Sequence, residues 1–89
     1  MPSTEAARGH KISAEIAFGR VLRELRRKRD VSQDELGARS GYHRTYIGQL
    51  ERGEKSPSLR TLFNLAATLD VLPHKIVRAT ERLVTLSRP

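Results

Sequence analysis

Three side chains within one short stretch have the chemistry to read the edges of nucleic-acid bases. In the run HRTYIGQLERG, residues 43 to 53, Ile47 and Leu50 are apolar and at helical spacing turn inward, which leaves Arg44, Thr45, Gly48 and Gln49 on the other side. Arg44 can bridge guanine O6 and N7, Gln49 can bridge adenine N6 and N7, and the Thr45 methyl can meet a thymine methyl. Around them stand side chains suited to phosphate oxygens: the amide of Gln33 beside the exposed backbone amides of a helix start, the cations Arg52 and Lys55 in the following loop, and the hydroxyl of Tyr46. Tyr46 is equally suited to a half-core position. His43 stands where a capping Ser or Thr is usual, so it caps weakly or touches phosphate. Gly48 lets backbone approach a groove closely but offers no side chain to read, and the alternative for Lys55 is an exposed ion pair with Glu51 or Glu54.

The charge balance agrees with a polyanionic partner. Among the 89 residues, 17 Lys and Arg oppose 10 Asp and Glu, for a net charge of +7. Thirteen of the basic residues are Arg, the side chain that best forms bidentate contacts with phosphate and guanine. A chain of this length makes one domain with a modest core, and with few aromatics that core must come from Leu, Ile, Val and Ala.

The elements that position these groups are legible from caps and periodicity. Ser32 followed by Glu35 forms a capping box, each residue's side chain satisfying the other's amide, and this starts a helix. Gly41 supplies the positive φ that ends it and swings the chain into a second helix over about Arg44 to Arg52. The small Gly37 and Ser40 allow these two helices to cross closely, a helix-turn-helix over residues 32–53. Ser13 caps a helix over about Ala14 to Arg29, with Phe18, Val21, Leu22 and Leu25 on one face and cations in its last turn that complement the helix dipole. Ser58 caps another over about Leu59 to Leu69, in which Leu59, Leu62, Phe63, Ala66 and Leu69 are expected to close the core against the first helix. Pro73 opens a last helix to about Leu86. Its positions Ile76, Val77, Thr80, Leu83, Val84 and Leu86 offer more apolar surface than a small bundle needs, and Val77, Thr80, Val84 and Leu86 are expected to form a dimer interface, the alternative being a thicker core. Residues 1–12 carry no apolar period and read as a flexible arm, with Arg8 and Lys11 able to follow DNA into a groove.

The stretch from about Phe18 to about Ile76 resembles the Cro-type (Xre-type), lambda-repressor-like helix-turn-helix family, which includes phage repressors and the controller proteins of restriction-modification systems. The resemblance rests on Ser-Gln-x-Glu-Leu at 32 to 36, Gly41, Arg-Thr-Tyr-Ile at 44 to 47, Leu-Glu-Arg-Gly at 50 to 53 and Pro-Ser-Leu at 57 to 59, all in order. It implies an all-α, compact five-helix bundle spanning residues 13–86, with Arg44 to Arg52 as the recognition helix. It also implies a structural ion pair between Arg26 and Glu51. Two departures stand out. Asp30 replaces a Gly common in the family, so strain is expected at that connection, and Gly37 replaces the more usual Ala at the crossing, at a cost of up to ~1 kcal/mol in helix propensity.

Taken together, these features imply a homodimeric regulator of transcription, a repressor or autoregulatory controller, that inserts one recognition helix per subunit into the major groove of double-stranded DNA at a palindromic operator. The rival is an antitoxin whose last helix binds a protein partner, with Val77, Val84 and Leu86 at the contact. Little supports an enzyme: there is no cysteine nucleophile and no phosphate-binding glycine loop, and His10, His43 and His74 lie in separate elements without carboxylates at a ligand spacing, so no metal or cofactor is expected. No apolar run approaches the ~20 residues that span a bilayer, and no secretory signal opens the chain, so a cytoplasmic protein without a membrane is expected. At this length no separate sensor domain is expected.

Overall fold

A computed structural model describes residues 12–87, and the arm with Arg8, His10 and Lys11 lies outside them. Among these residues five helices follow one another: α1 Ala14–Lys28, α2 Gln33–Ser40, α3 Arg44–Glu51, α4 Leu59–Thr68 and α5 Pro73–Leu86. Each of the first four begins at the cap residue its sequence offers. Ser13, Ser32 and Ser58 accept from the amides of Ile16, Glu35 and Thr61, each at 3.0 Å. Glu35 completes the box by accepting from the Ser32 amide at 3.2 Å. His43 caps α3 through its ring, described below. The expected ends of α1, α3 and α4 each ran one residue further. Arg29, Arg52 and Leu69 are the caps instead, because the residue after each takes a positive φ: 56° at Asp30, 75° at Gly53 and 55° at Asp70.

Asp30 and Asp70 are the only two non-glycine residues with positive φ among those described, and they close α1 and α4 in the same way. The amide of Val31 donates to Arg26 O and that of Asp30 to Arg27 O, while Val71 and Asp70 repeat the pattern on Ala66 and Ala67. Both carbonyl ends are thereby satisfied by a Schellman closure, with a short polar residue that tolerates the left-handed region. Arg29 Nη2 donates to Asp70 O at 3.1 Å and ties the two turns together.

The core is one cluster in which Leu22, Leu36, Ile47, Leu50, Leu65, Leu69 and Ile76 are fully buried, joined by Phe18, Val21, Leu62 and Ala66. One expectation fails. Leu59 and Phe63 are 72% and 53% exposed, and Leu65 is inward instead. The helix shows residues 62, 65, 66 and 69 to the core, a stripe that shares three members with the expected one but lies rotated toward the other flank. The cause is its packing: α4 lies mainly on α2 and α5, while α1 is covered mainly by α5 and α3. No described helix is long and apolar enough to cross a membrane.

Candidate nucleic-acid interface

The two motif helices approach so closely that a side chain cannot intervene. A Cβ on Gly37 would lie 2.4 Å from Tyr42 O, and Gly37 O itself accepts from the amides of Gly41 and Tyr42 at 2.9 and 2.8 Å. Gly41 makes this possible at φ 86°. Even Ala would be too large at position 37, so the helix propensity lost there is the cost of the tight turn. Gly19, which periodicity did not single out, does the same for α1: its Cβ would meet the carbonyl oxygens of Leu50 and Glu51 at 2.4 and 2.5 Å. A glycine inside an otherwise good helix was the available signal.

The C-terminal end of α3 is held by a buried ionic network. Arg26 Nε and Nη2 donate to Glu51 Oε2 and Oε1 at 2.6 and 3.0 Å, and Arg26 Nη1 donates to Val31 O at 3.0 Å. Gln33 Nε2 donates to the same Glu51 Oε1 at 3.0 Å. The Glu51 side chain is 3% exposed. Its hydrogen bonds to the Glu51 carboxylate hold the Arg26 guanidinium above its ordinary pKa against the opposing effect of burial, with the carboxylate's charge adding to the rise. One carboxylate thus fastens α1, the turn after it, α2 and α3 together.

The N-terminal end of α3 is set by aromatic and polar contacts. His43 Nδ1 accepts from the Thr45 amide at 3.0 Å, so the ring replaces a hydroxyl cap and its proton sits on Nε2 of an exposed side chain. Tyr46 is half-buried against the core, with its ring centroid 5.3 Å from that of Tyr42. Tyr42 donates to Thr61 Oγ1 at 3.2 Å and accepts from Asn64 Nδ2 at 3.0 Å, which anchors the turn to α4. Its position in the turn beside the motif was the only sequence hint of that role.

Arg44 and Thr45 are exposed and Gln49 is half-buried, side by side on the outer edge of α3, and none of their side chains is hydrogen-bonded to a described residue. Gly48 does not match the reading of a bare, open position: it is buried, because the Arg52 guanidinium and Gln33 Oε1 lie over it. Arg52 donates through Nε and Nη2 to Glu54, whose hydrogen bond and charge raise the Arg52 pKa and hold the Glu54 carboxyl below the usual range. Lys55 is exposed and joins no ion pair among the described residues, since Glu51 and Glu54 are each taken by an arginine.

The four positions expected at a dimer contact do not form one patch. Val77 and Thr80 line a hollow with Phe18, Leu59 and Leu62, whereas Leu86 lines another with Val21, Leu25 and Leu83. Val84 is half-buried, and the Thr80 hydroxyl donates back to Ile76 O at 2.8 Å.

A capped two-helix unit with a close turn, braced on a helical bundle and presenting an open polar edge, defines a helix-turn-helix DNA-binding domain. The chain belongs to the helix-turn-helix family HTH_3, whose model matches residues 22–76, and this is a family of DNA-binding transcriptional regulators. It is similar to an uncharacterized HTH-type transcriptional regulator, y4dJ of Sinorhizobium fredii, at 38% identity over 71% of this chain and 82% of that one. Control protein C.SmaI of Serratia marcescens is 41% identical over 63% of this chain and 67% of its own. Among solved structures, the restriction-modification controller protein C.AhdI of Aeromonas hydrophila superposes with a TM-score of 0.67 and 41% identity, over 68% of this chain and 92% of that one.

Proposed function

We propose that this regulator binds a palindromic operator as a homodimer and acts as a repressor or autoregulatory controller, with Arg44, Thr45 and Gln49 reading bases. The observation that carries the reading is the outer edge of α3, where these three side chains stand unengaged on a helix locked at both ends. His43 Nε2, the Tyr46 hydroxyl and Lys55 surround that edge and would contact phosphate. Gln33 and Arg52 were expected to share this task, but their donors are largely committed to Glu51 and Glu54. The likeness to control proteins supports the autoregulatory role, and the comparisons do not support an antitoxin.

Dimerisation has a physical purpose, because one small module makes few base contacts and two roughly sum their energies. A pair of half-sites centred one helical turn, about 34 Å, apart would then be required. Val77, Thr80 and Val84 on one flank of α5, and Leu86 on the other, offer the apolar surface for a subunit contact. Selection of bound duplexes from a random pool, with sedimentation at several concentrations, tests the reading. A twofold consensus bound by a dimer is expected. Recovery of unrelated sequences, or a dimer that covers Arg44 and Gln49, would overturn it.

A further inference from the structure

The surface above Gly48 is organised by two carboxylates. A Cβ at that position would lie 3.0 Å from Arg52 Nη1, 3.8 Å from Arg52 Cζ and 3.6 Å from Gln33 Oε1, so these groups sit together over bare backbone on the same edge as Thr45 and Gln49. Each is turned by a different acid. Glu51 can only accept, so it must face the Gln33 nitrogen, which leaves Oε1 uncommitted as an acceptor. Glu54 engages Arg52 Nε and Nη2, which leaves Nη1 uncommitted as a donor. The result is one donor and one acceptor over the same stretch of backbone, with the Arg26 and Arg52 charges balanced locally by Glu51 and Glu54.

We infer that Arg52 Nη1 and Gln33 Oε1 form a second base-reading element over Gly48, which recognises the edge of an adenine in the major groove. This inference rests on the reading of α3 as the helix that enters the groove. Adenine presents an acceptor, N7, next to a donor, the N6 amino group, and so complements the pair. A phosphate does not: it offers acceptors only, and here it would meet the Gln33 carbonyl oxygen and the Glu54 carboxylate. Gly48 leaves room for the arrangement, because a Cβ there would press on the Arg52 guanidinium at 3.0 Å and shift it from its place. The residue that reads opposite position 48 is therefore supplied from one turn later in the chain.

Gly48→Ala changes no charge and suits a helix, and the group it displaces is the end of a flexible side chain, so the domain should fold. With duplexes selected by the unaltered protein, Gly48→Ala and Arg52→Lys should both relax discrimination at the same one position of each half-site, by roughly tenfold or more. The double variant should be no worse there than either single one, because both remove the same contact. Unchanged discrimination in both variants would overturn the inference. So would an equal loss on every sequence, the mark of a phosphate contact. If Arg44→Ala alone abolishes selectivity at its own position, the groove reading stands whichever way these variants fall; if the unaltered protein selects no sequence, both readings fall.

Discussion

Arg26 and Glu51 meet through two hydrogen bonds of 2.6 and 3.0 Å, at the point where α1 crosses the end of α3. The Glu51 side chain is 3% exposed and that of Arg26 12%, so the carboxylate lies out of solvent and the guanidinium keeps only an edge in water. Glu51→Ala leaves the Arg26 charge desolvated and frees Gln33, and should destabilise the fold by about 3 kcal/mol or more. For a domain of this size that is a drop in melting temperature on the order of 10–20 °C. Calorimetry checks it, and a loss below about 1 kcal/mol would show that the pair behaves as a solvent-screened one.

Gly19→Ala should lower stability although helix propensity alone would raise it by up to ~1 kcal/mol. The added methyl would meet the backbone oxygens of Leu50 and Glu51 at 2.4 and 2.5 Å, and backbone cannot step aside as a side chain can. Because those oxygens belong to α3, operator affinity should fall with stability. A raised denaturation midpoint would show that the two helices are not in contact there.

Arg44 and Lys55 should separate cleanly in binding assays. Arg44→Ala should cost about 1–3 kcal/mol at one base position, while Lys55→Ala should weaken all duplexes alike and reduce the salt slope by about 1. Equal losses on specific and random duplexes for Arg44→Ala would break the division between reading and anchoring.

Glu54 titrates below the usual carboxylate range because Arg52 donates to its ionised form. A depressed folded value means the contribution to stability is present above the ordinary carboxylate pKa and is lost as pH falls through the lower, folded one. Both groups are exposed, so the effect on stability is small and the titration itself is the better readout. Carboxyl resonances followed by NMR should place the Glu54 midpoint below the normal range, and Arg52→Ala should return it there. An unmoved midpoint would show that the pair does not persist in solution.

Leu65→Ala should cost about 2–5 kcal/mol, as for other filled core sites, whereas Phe63→Ser should change stability little. Leu65 is fully buried and Phe63 is 53% exposed. Paired denaturation curves decide it, and comparable losses would place Phe63 in a contact that the isolated chain does not show.

Much of the architecture is local in origin and so is written in order along the chain. Ser13, Ser32, Ser58 and Pro73 start helices because a cap needs only its own next three residues, and Gly41 turns the motif because positive φ is a property of one residue. These signals, with the spacing of Leu36, Ile47 and Leu50, determine the helix-turn-helix and its open edge from sequence alone. Periodicity left the flank of α4 open, since 59, 62, 63, 66 and 69 fit a helical face as well as 62, 65, 66 and 69. Contact with α2 and α5, distant in sequence, chose between them.

The polar network had to wait for the fold for the same reason. Which donor an acid satisfies depends on chain segments up to 25 residues apart meeting within 3 Å, and no spacing rule encodes that. Residue type alone made Gln33 and Arg52 interchangeable phosphate donors and Gly48 an empty position. Tertiary packing turned Gln33 toward Glu51 and laid Arg52 over Gly48. Sequence therefore determined which face of the third helix is left open, and the packed structure decided which atoms on that face remain free to act.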